Sequence, residues 1–306
     1  MKPLITVIGS SNVDLIVKLP RFPKPGETIQ GDQFYKAQGG KGANQAIAAA
    51  RAGANVCFIS RVGNDDFGKS TLLSYSNDGI IIDHVSVDTE ISTGVALIYV
   101  DAQGENTIGL AAGANTTLTS EHVRGATSTI ASSKIILLQL EIPFETVKES
   151  ITLAQKANVP VILNPAPAQP IDSEILKNVS ILTPNESETE ILTGISLASD
   201  DAIEHAARLL RSKGVQTVII TLGARGVYLA NKNESLFIPG FQVQAVDTTA
   251  AGDVFNGTLA VAIAEGKNLI EAIRFANAAA ALSVTKIGAQ TSAPYRKEID
   301  EFLSSH

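Results

Sequence analysis

Residues Asp247 to Gly257 read D-T-T-A-A-G-D-V-F-N-G: small residues, then a carboxylate at Asp253, then an apolar segment of helical character. A helix start offers unsatisfied N–H groups and the positive end of the helix dipole, so it binds anions. The small side chains of Ala250, Ala251 and Gly252 leave that backbone open to a phosphate. A carboxylate beside such a cradle repels the anion, so its presence is informative. Asp253 makes chemical sense there as a base that takes the proton of a hydroxyl attacking the phosphorus. An ordinary Asp ionises at about pH 4 and is ready for this role at neutral pH. For an isolated A-A-G-D, a simple helix cap is the better explanation.

A second segment, G-G-K-G-A-N-Q-A at Gly39–Ala46, shifts that balance. Alone it is weak, because a tight turn before an Ala-rich helix explains it. Together the two segments resemble both signatures of the PfkB family of carbohydrate kinases, also called the ribokinase family. The resemblance runs the length of the chain. It includes V-I-G-S-S-N-V-D (Val7–Asp14), P-G-E-T (Pro25–Thr28), S-T-G-V-A (Ser92–Ala96), L-N-P-A-P-A (Leu163–Ala168), T-P-N-E-S-E (Thr183–Glu188), T-L-G-A-R-G (Thr221–Gly226) and G-A-Q (Gly288–Gln290). Within the family the chain is most similar to the ribokinase branch. The resemblance implies transfer of the γ-phosphoryl group of ATP to the 5-hydroxyl of D-ribose, giving ribose 5-phosphate and ADP. In that reading Asp253 is the base, and Ala250, Ala251 and Gly252 form the anion hole.

The resemblance also distributes roles among other residues. The sugar site is expected at Asn12, Asp14, Gly39, Gly40, Lys41, Asn44, Glu141 and Asp253 itself. Amides and carboxylates suit it, since each can accept or donate two bonds to vicinal hydroxyls. The nucleotide site is expected at Asn185, Thr221, Gly223, Arg225, Gly226, Gly252 and Asn277. Asn185 and Glu188 form N-x-x-E, which in relatives organises Mg²⁺ and phosphate through water. The same spacing is a helix capping box, and both readings can hold. Asp247, Thr249, Ser283, Lys286, Gly288 and Ser292 match positions that hold K⁺ in relatives, partly through backbone carbonyls. Thr248-Thr249 and Lys286-Ile287 depart from the commonest wording of those loops.

Short apolar runs must carry these residues. Strand candidates include Leu4–Gly9, Val56–Arg61, Ile135–Gln139, Val161–Asn164, Ser180–Thr183, Val218–Thr221 and Gly226–Ala230. Helical patterns lie between them, at Asn44–Ala52, Phe144–Ala157 and Ala202–Lys213 among others. The alternation implies βαβ units: an α/β fold with a mostly parallel sheet covered by helices on both faces. Asn12, Asp14 and Glu141 then follow strand ends at the edge where such sheets bind ligands. The C-terminal third reads as helical, over Asp253–Glu265, Leu269–Val284 and Tyr295–Leu303. Glu27–Ala37 has strand character, and Thr93–Leu110 reads as a hairpin turning at Ala102-Gln103-Gly104. These depart from the βα alternation and suggest a small antiparallel β lid, built from segments about 12–19, 27–38 and 93–110. No flexible linker or repeat divides residues 1–306, so one domain is expected, with the lid inserted. In relatives the lid covers the sugar and pairs with a second subunit, which implies a homodimer.

Gly63-Asn64-Asp65-Asp66-Phe67-Gly68-Lys69-Ser70 fits the G-x-x-x-x-G-K-[ST] pattern of a P-loop. Asp65 and Asp66 would place two negative charges in the phosphate cradle, so they read better as cap and first-turn acids of the following helix. The chain carries a formal net charge of −7 and no Lys/Arg run, which argues against a nucleic-acid surface. Its single cysteine, Cys57, permits no internal disulfide and fits a reducing compartment. Four scattered histidines lack zinc spacing, no stretch is long enough to span a membrane, and the opening apolar run is too short for a signal peptide. A cytoplasmic protein is expected. Two alternatives stand beside the ribose reading. One is a sibling kinase for deoxyribose, a hexose or a nucleoside. Asn12 argues against deoxyribose, because its amide can read the 2-hydroxyl, and a nucleoside would find only Phe34 and Tyr35 as a wall. The other is a non-catalytic sugar or nucleotide sensor, whose usual mark, loss of the base, is not met.

Overall fold

The computed structural model describes residues 2–306. Thirteen strands run in chain order as β1 (Leu4–Ile8), β2 (Asn12–Lys18), β3 (Gln33–Gly39), β4 (Asn55–Gly63), β5 (Val85–Asp88), β6 (Gly94–Val100), β7 (Asn106–Ala111), β8 (Ile135–Leu138), β9 (Val161–Leu163), β10 (Ile181–Leu182), β11 (Thr217–Thr221), β12 (Val227–Ala230) and β13 (Ser235–Ile238). The large sheet has the order β13-β12-β11-β10-β9-β8-β1-β4-β5. All its pairings from β11 to β5 are parallel, and β12 and β13 close one edge antiparallel.

Alternate side chains of these strands enter two separate cores. In β8, Ile135 and Leu137 face one core while Ile136 and Leu138 face the other. This is why the strand reads as an unbroken apolar run: both faces are covered. Helices Lys41–Arg51, Ala251–Ala264 and Leu269–Ser283 cover the first face. Helices Phe144–Lys156 and Asp200–Ser212 cover the second. Helices Lys41–Arg51 and Ala251–Ala264 approach closely because Gly257 lacks a side chain. A methyl group there would sit 2.5 Å from the Gln45 carbonyl oxygen.

Strand β1 lies between β8 and β4, with Ile8 paired to both Leu138 and Ile59. The chain winds outward in opposite directions on its two sides, so a crevice opens at the C-terminal ends of β1 and β8. Ser10, Asn12 and Asp14 follow β1 into this crevice, and Gln139 and Glu141 follow β8.

A second sheet has the order β3-β2-β6-β7. Its outer pairings are antiparallel, as expected for the flap, whereas the central pairing of β2 with β6 is parallel. The cause is directional: β2 continues from β1 and β6 from β5, so both leave the large sheet at the same edge. The hairpin of β6 and β7 turns where expected, with Gly104 N–H donating to the Asp101 carbonyl. Of the segment read as strand-like over Glu27–Ala37 only Gln33–Ala37 is strand, and the strand runs on to Gly39. The chain turns at Pro25-Gly26, and Glu27–Asp32 runs on without regular structure into the strand. Edge strands β5 and β13 lie outside the runs read from sequence, being short and partly exposed. No helix among the described residues is long and apolar enough to cross a membrane.

Candidate active site

Ala250 adopts a left-handed backbone, φ 60° and ψ 11°, and starts the helix Ala251–Ala264 without any side-chain cap. A non-glycine residue held this way stores about 1–2 kcal/mol of strain, a feature that clusters at functional sites. The first-turn amides have no intrahelical partner. Gly252 and Asp253, in that first turn, line a polar cavity of about 170 Å³ together with Lys41, Asn164, Asn185, Glu188, Thr248 and Asn256.

Asp253 does not cap this helix. Its buried carboxylate accepts from Asn44 Nδ2 at Oδ2 and from Gln45 Nε2 at Oδ1, both at 2.9 Å. Burial pushes its pKa up. The charge of Lys41 and the two amide donors oppose this, while Glu141 adds to the rise. Lys41 is subject to the converse balance. Burial works against its ammonium, but Asp253, Glu141 and Glu188 more than offset that and raise its pKa.

The residues expected to read a sugar converge on the same place. Asp14 lies on β2 beside Gly39 of β3, and a methyl group on Gly39 would stand 2.4 Å from both Asp14 carboxylate oxygens. Gly40 follows with φ 90° and leads into the helix Lys41–Arg51. The Asp14 pKa is pushed up to about 6, first by burial and then by Glu141 and Asp253. Asn12 is buried, and its Oδ1 accepts from Asn115 Nδ2 at 2.7 Å, which leaves its own N–H₂ to donate. Asn44 Oδ1 is buried with no partner. Glu141 is more structural than its sequence position suggests: its Oε2 accepts from Lys41 N–H at 3.0 Å and from Ser10 Oγ at 2.5 Å. It thereby anchors the start of the helix that carries Lys41, Asn44 and Gln45.

The expected nucleotide residues line adjoining hollows. A cavity of about 460 Å³ is bordered by Asn185, Thr221, Gly223, Gly226, Gly252, Phe255 and Asn277. A more apolar one of about 220 Å³ lies beside it, against Gly223, Phe241, Val243, Asn277, Ala280 and Val284. The first shares Asn185, Thr221, Ala251 and Gly252 with the Asp253 cavity. Asn185 and Glu188 make a full capping box, Asn185 Oδ1 accepting from Glu188 N–H and Glu188 Oε2 from Asn185 N–H, both at 2.8 Å. Burial raises the Glu188 pKa, against the Asn185 hydrogen bond and Lys41. Asn277 donates to the Pro239 carbonyl. Arg225 is exposed and borders none of these cavities, its guanidinium held between Glu186 and Asp200.

The two loops expected to hold a cation are stitched together. Asp247 Oδ1 accepts from Thr249 N–H at 2.9 Å, its Oδ2 accepts from Gly288 N–H at 2.8 Å, and Val246 N–H donates to the Val284 carbonyl. Burial raises the Asp247 pKa, but these hydrogen bonds prevail and hold it below the usual carboxylate range. The side chains of Ser283 and Ser292 bond the Ala280 and Ala289 carbonyls within their own turns. The Lys286 ammonium pairs with Glu298 at 2.6 Å, so only the backbone carbonyl of Lys286 could face a cation. The P-loop-like segment behaves as a helix start: Asp65 caps the helix Asp66–Asn77, accepting from Gly68 N–H and from Thr93.

Sequence reasoning missed a set of buried amides and hydroxyls behind the base: Ser10, Gln45, Gln139, Asn164, Thr183 and Asn256. Gln45 joins Asp253 to Asn164 and Gln139, and Thr183 Oγ1 donates to Asn256 Oδ1 at 2.6 Å. The available signal was polarity out of place, with Gln45 inside an Ala-rich helix and Gln139 directly after I-I-L-L.

Known proteins with this pattern are numerous. The family model described as "pfkB family carbohydrate kinase" matches residues 2–296. The ribokinase of Haemophilus influenzae is 49% identical over 303 residues, covering 99% of each chain. The deoxyribokinase of Salmonella typhi is 38% identical over 301 residues, covering 98% of each. The structure of Arabidopsis thaliana ribokinase complexed with ribose and ATP superposes with a TM-score of 0.93 at 36% identity, over 99% of each chain. A full-length family match, near-complete coverage by close relatives and the fold together place the chain in the pfkB family of carbohydrate kinases.

Proposed function

We propose that this chain transfers the γ-phosphoryl group of ATP to the 5-hydroxyl of D-ribose, giving ribose 5-phosphate and ADP. The observation that carries the reading is the buried Asp253 carboxylate. It sits in the first turn of a helix whose opening residues line a small polar cavity, with hydroxyl-reading side chains on one side and nucleotide-sized hollows on the other. The close relatives named for ribose supply the acceptor. Asp253 accepts the proton of the attacking hydroxyl, and the Gly252 and Asp253 amides stabilise charge on the transferred group. Asp14 accepts hydrogen bonds from sugar hydroxyls, Asn12 donates through its free N–H₂, Asn44 accepts through Oδ1, and Lys41 balances the charge. Phosphates lie along Asn185 and Gly252, and the base lies against the apolar wall of Phe241, Val243 and Val284.

Mg²⁺ enters with the nucleotide. Glu188 fits it as a hard oxygen donor through water, because only its Oε2 is engaged and it lines the transfer cavity. When bound, the ion neutralises charge on the phosphates. K⁺ is proposed at the loops of Asp247, Thr249, Ser283, Lys286, Gly288 and Ser292, where it orders the helix start from outside the reaction.

The small sheet acts as a lid on one domain and joins two copies of the chain. Register places Leu15, Val17, Phe34, Leu97 and Tyr99 on the face opposite Asp14. Phe34 and Leu97 there are 64% and 49% exposed. Lid closure excludes water from the transferring group. ADP release should be measured with Mg·ATP and D-ribose, with and without K⁺, beside 2-deoxyribose, fructose and adenosine. Turnover strongest with ribose is expected. Preference for 2-deoxyribose, the acceptor named for the Salmonella relative, would overturn the sugar assignment. Nucleotide binding without any turnover would overturn the enzyme reading.

A further inference from the structure

The helix Lys41–Arg51 sends two neighbouring amides to the base, and only Asn44 has a part in the function proposed above. Gln45 is fully buried. Its Nε2 donates to Asp253 Oδ1 at 2.9 Å and to Asn164 Oδ1 at 3.1 Å. Its Oε1 accepts from Gln139 Nε2 at 2.5 Å. Each orientation dictates the next. Asn164 Nδ2 is committed to the Thr183 carbonyl at 3.1 Å, so Asn164 presents its oxygen to Gln45. Gln45 must therefore present nitrogen to both Asn164 and Asp253, and its oxygen to Gln139. Gln139 is then left with Oε1 buried and without a partner. A lone buried acceptor lowers stability, and an apolar side chain of the same shape would avoid that cost. An arrangement that keeps this cost at the far end of a chain of amides ending on the base fits a functional demand better than a structural one.

We propose that Gln45 is a positioning residue for Asp253. With its amide locked by Gln139 and Asn164, it donates to one carboxylate oxygen, fixes the carboxylate plane and holds the group as an anion ready for the hydroxyl proton. Gln45 has this role only if the site transfers a phosphoryl group to a hydroxyl, as proposed above. Other charges also act on Asp253. Lys41 favours its anion, Glu141 opposes it, and Asp14 and Glu188 interact with it from the two flanks. Gln45 differs from these in contributing a directed N–H bond at a fixed angle.

The test uses the full-length chain with Gln45→Leu and Gln139→Leu, measuring kcat and KM for ribose and ATP across pH, with thermal melting as the check on folding. In Gln45→Leu the acid limb of the kcat profile is expected to move up by about one pH unit. Its kcat near neutral pH should fall about tenfold, with both KM values within about threefold of the parent. Gln139→Leu removes one unpartnered acceptor but strands Gln45 Oε1 in its place, so it should melt at or below the parent. Its acid limb should move up by less than that of Gln45→Leu, because Asn164 still directs the Gln45 nitrogen to Asp253 and only the tie at the other end of the amide is lost. Infrared titration of ¹³C-labelled aspartate carboxylates in parent and Gln45→Leu reads the same shift without turnover. A parent inactive on ribose would count against the proposed function, and the infrared titration would still decide the role of Gln45. An unmoved acid limb and an unmoved titration in Gln45→Leu would overturn the proposal.

Discussion

Replacing Asp253 by Asn tests the base directly, and the hydrogen bonds around it say what else should change. The carboxylate accepts at both oxygens, whereas Asn offers one acceptor and one donor. Gln45 cannot turn, because Gln139 and Asn164 hold both ends of its amide. The new amide must therefore give its oxygen to Gln45 and its nitrogen to Asn44. Asn44 can answer this, since its Oδ1 has no partner and a half-turn of its amide exchanges the two atoms. Asp253→Asn should thus fold with stability changed by about 1 kcal/mol or less. The turned Asn44 places N–H₂ where its buried, unpartnered oxygen stood, and since that oxygen is the one proposed to accept from the sugar, KM for ribose should rise a few-fold. Loss of the base should cut kcat by about 10²–10⁴-fold, or about 3–5 kcal/mol of transition-state stabilisation. Asp253→Ala behaves differently. It strands one N–H each of Asn44 and Gln45 in a buried site, at about 1–3 kcal/mol per group, so Tm should fall by on the order of 10 °C. Steady-state ADP release and thermal melting of the two variants decide the matter. Turnover of Asp253→Asn within tenfold of the parent, or equal melting of the two variants, would refute this reasoning.

Three further outcomes follow from the same geometry. Asp14, whose folded pKa is pushed up to about 6 from the ordinary carboxylate value of 3.8, binds protons more tightly when folded, so stability falls as pH rises from 3.8 through about 6. Asp14→Asn should therefore be more stable than the parent at pH 8, by about 1–2 kcal/mol after discounting for its partial exposure, while KM for ribose rises about tenfold or more; an unchanged or lower melting temperature would contradict the cost ascribed to burying that carboxylate beside Glu141 and Asp253. Gly39→Ala pushes a methyl group to 2.4 Å from the Asp14 oxygens, and isothermal titration should show weakened ribose binding with ATP binding retained. Asp247→Ala cuts the ties to Thr249 and Gly288, so the K⁺ response of kcat that the proposed cation site implies should be lost in this variant; an undiminished K⁺ response would remove that loop from the proposed site.

The fold was legible wherever a segment was buried on both faces. β8 and β11 are apolar runs because nothing else fits between two helical layers, and the Ala-rich stretch before Arg51 is a helix pressed against another. The edge strands β5 and β13 were not legible, since half-exposed backbone imposes little demand on side chains. The parallel pairing of β2 with β6 is a relation between segments more than seventy residues apart, which no local pattern encodes. In the site, Asp253 and the glycines stood out because small residues beside a carboxylate are chemically odd. Gln45, Gln139 and Asn164 did not, because a polar residue inside an apolar run reads as noise until its partners are placed. The double part of Glu141, facing the site while holding the start of a helix, likewise needed Ser10 and Lys41 in position.

The base and the amides that hold it lie 208 and 209 residues apart in the chain. During synthesis the sugar-side residues emerge early and the catalytic aspartate near the end. A chain stalled before that point holds much of the sugar-binding apparatus but no chemistry, so it cannot waste nucleotide. Contacts of such long range close long loops, which costs chain entropy until the large sheet holds both helices on one face. Enzymatic turnover in this molecule is therefore a sensitive reporter of complete folding. Partial unfolding that loosens either helix should extinguish activity while most of the secondary structure remains.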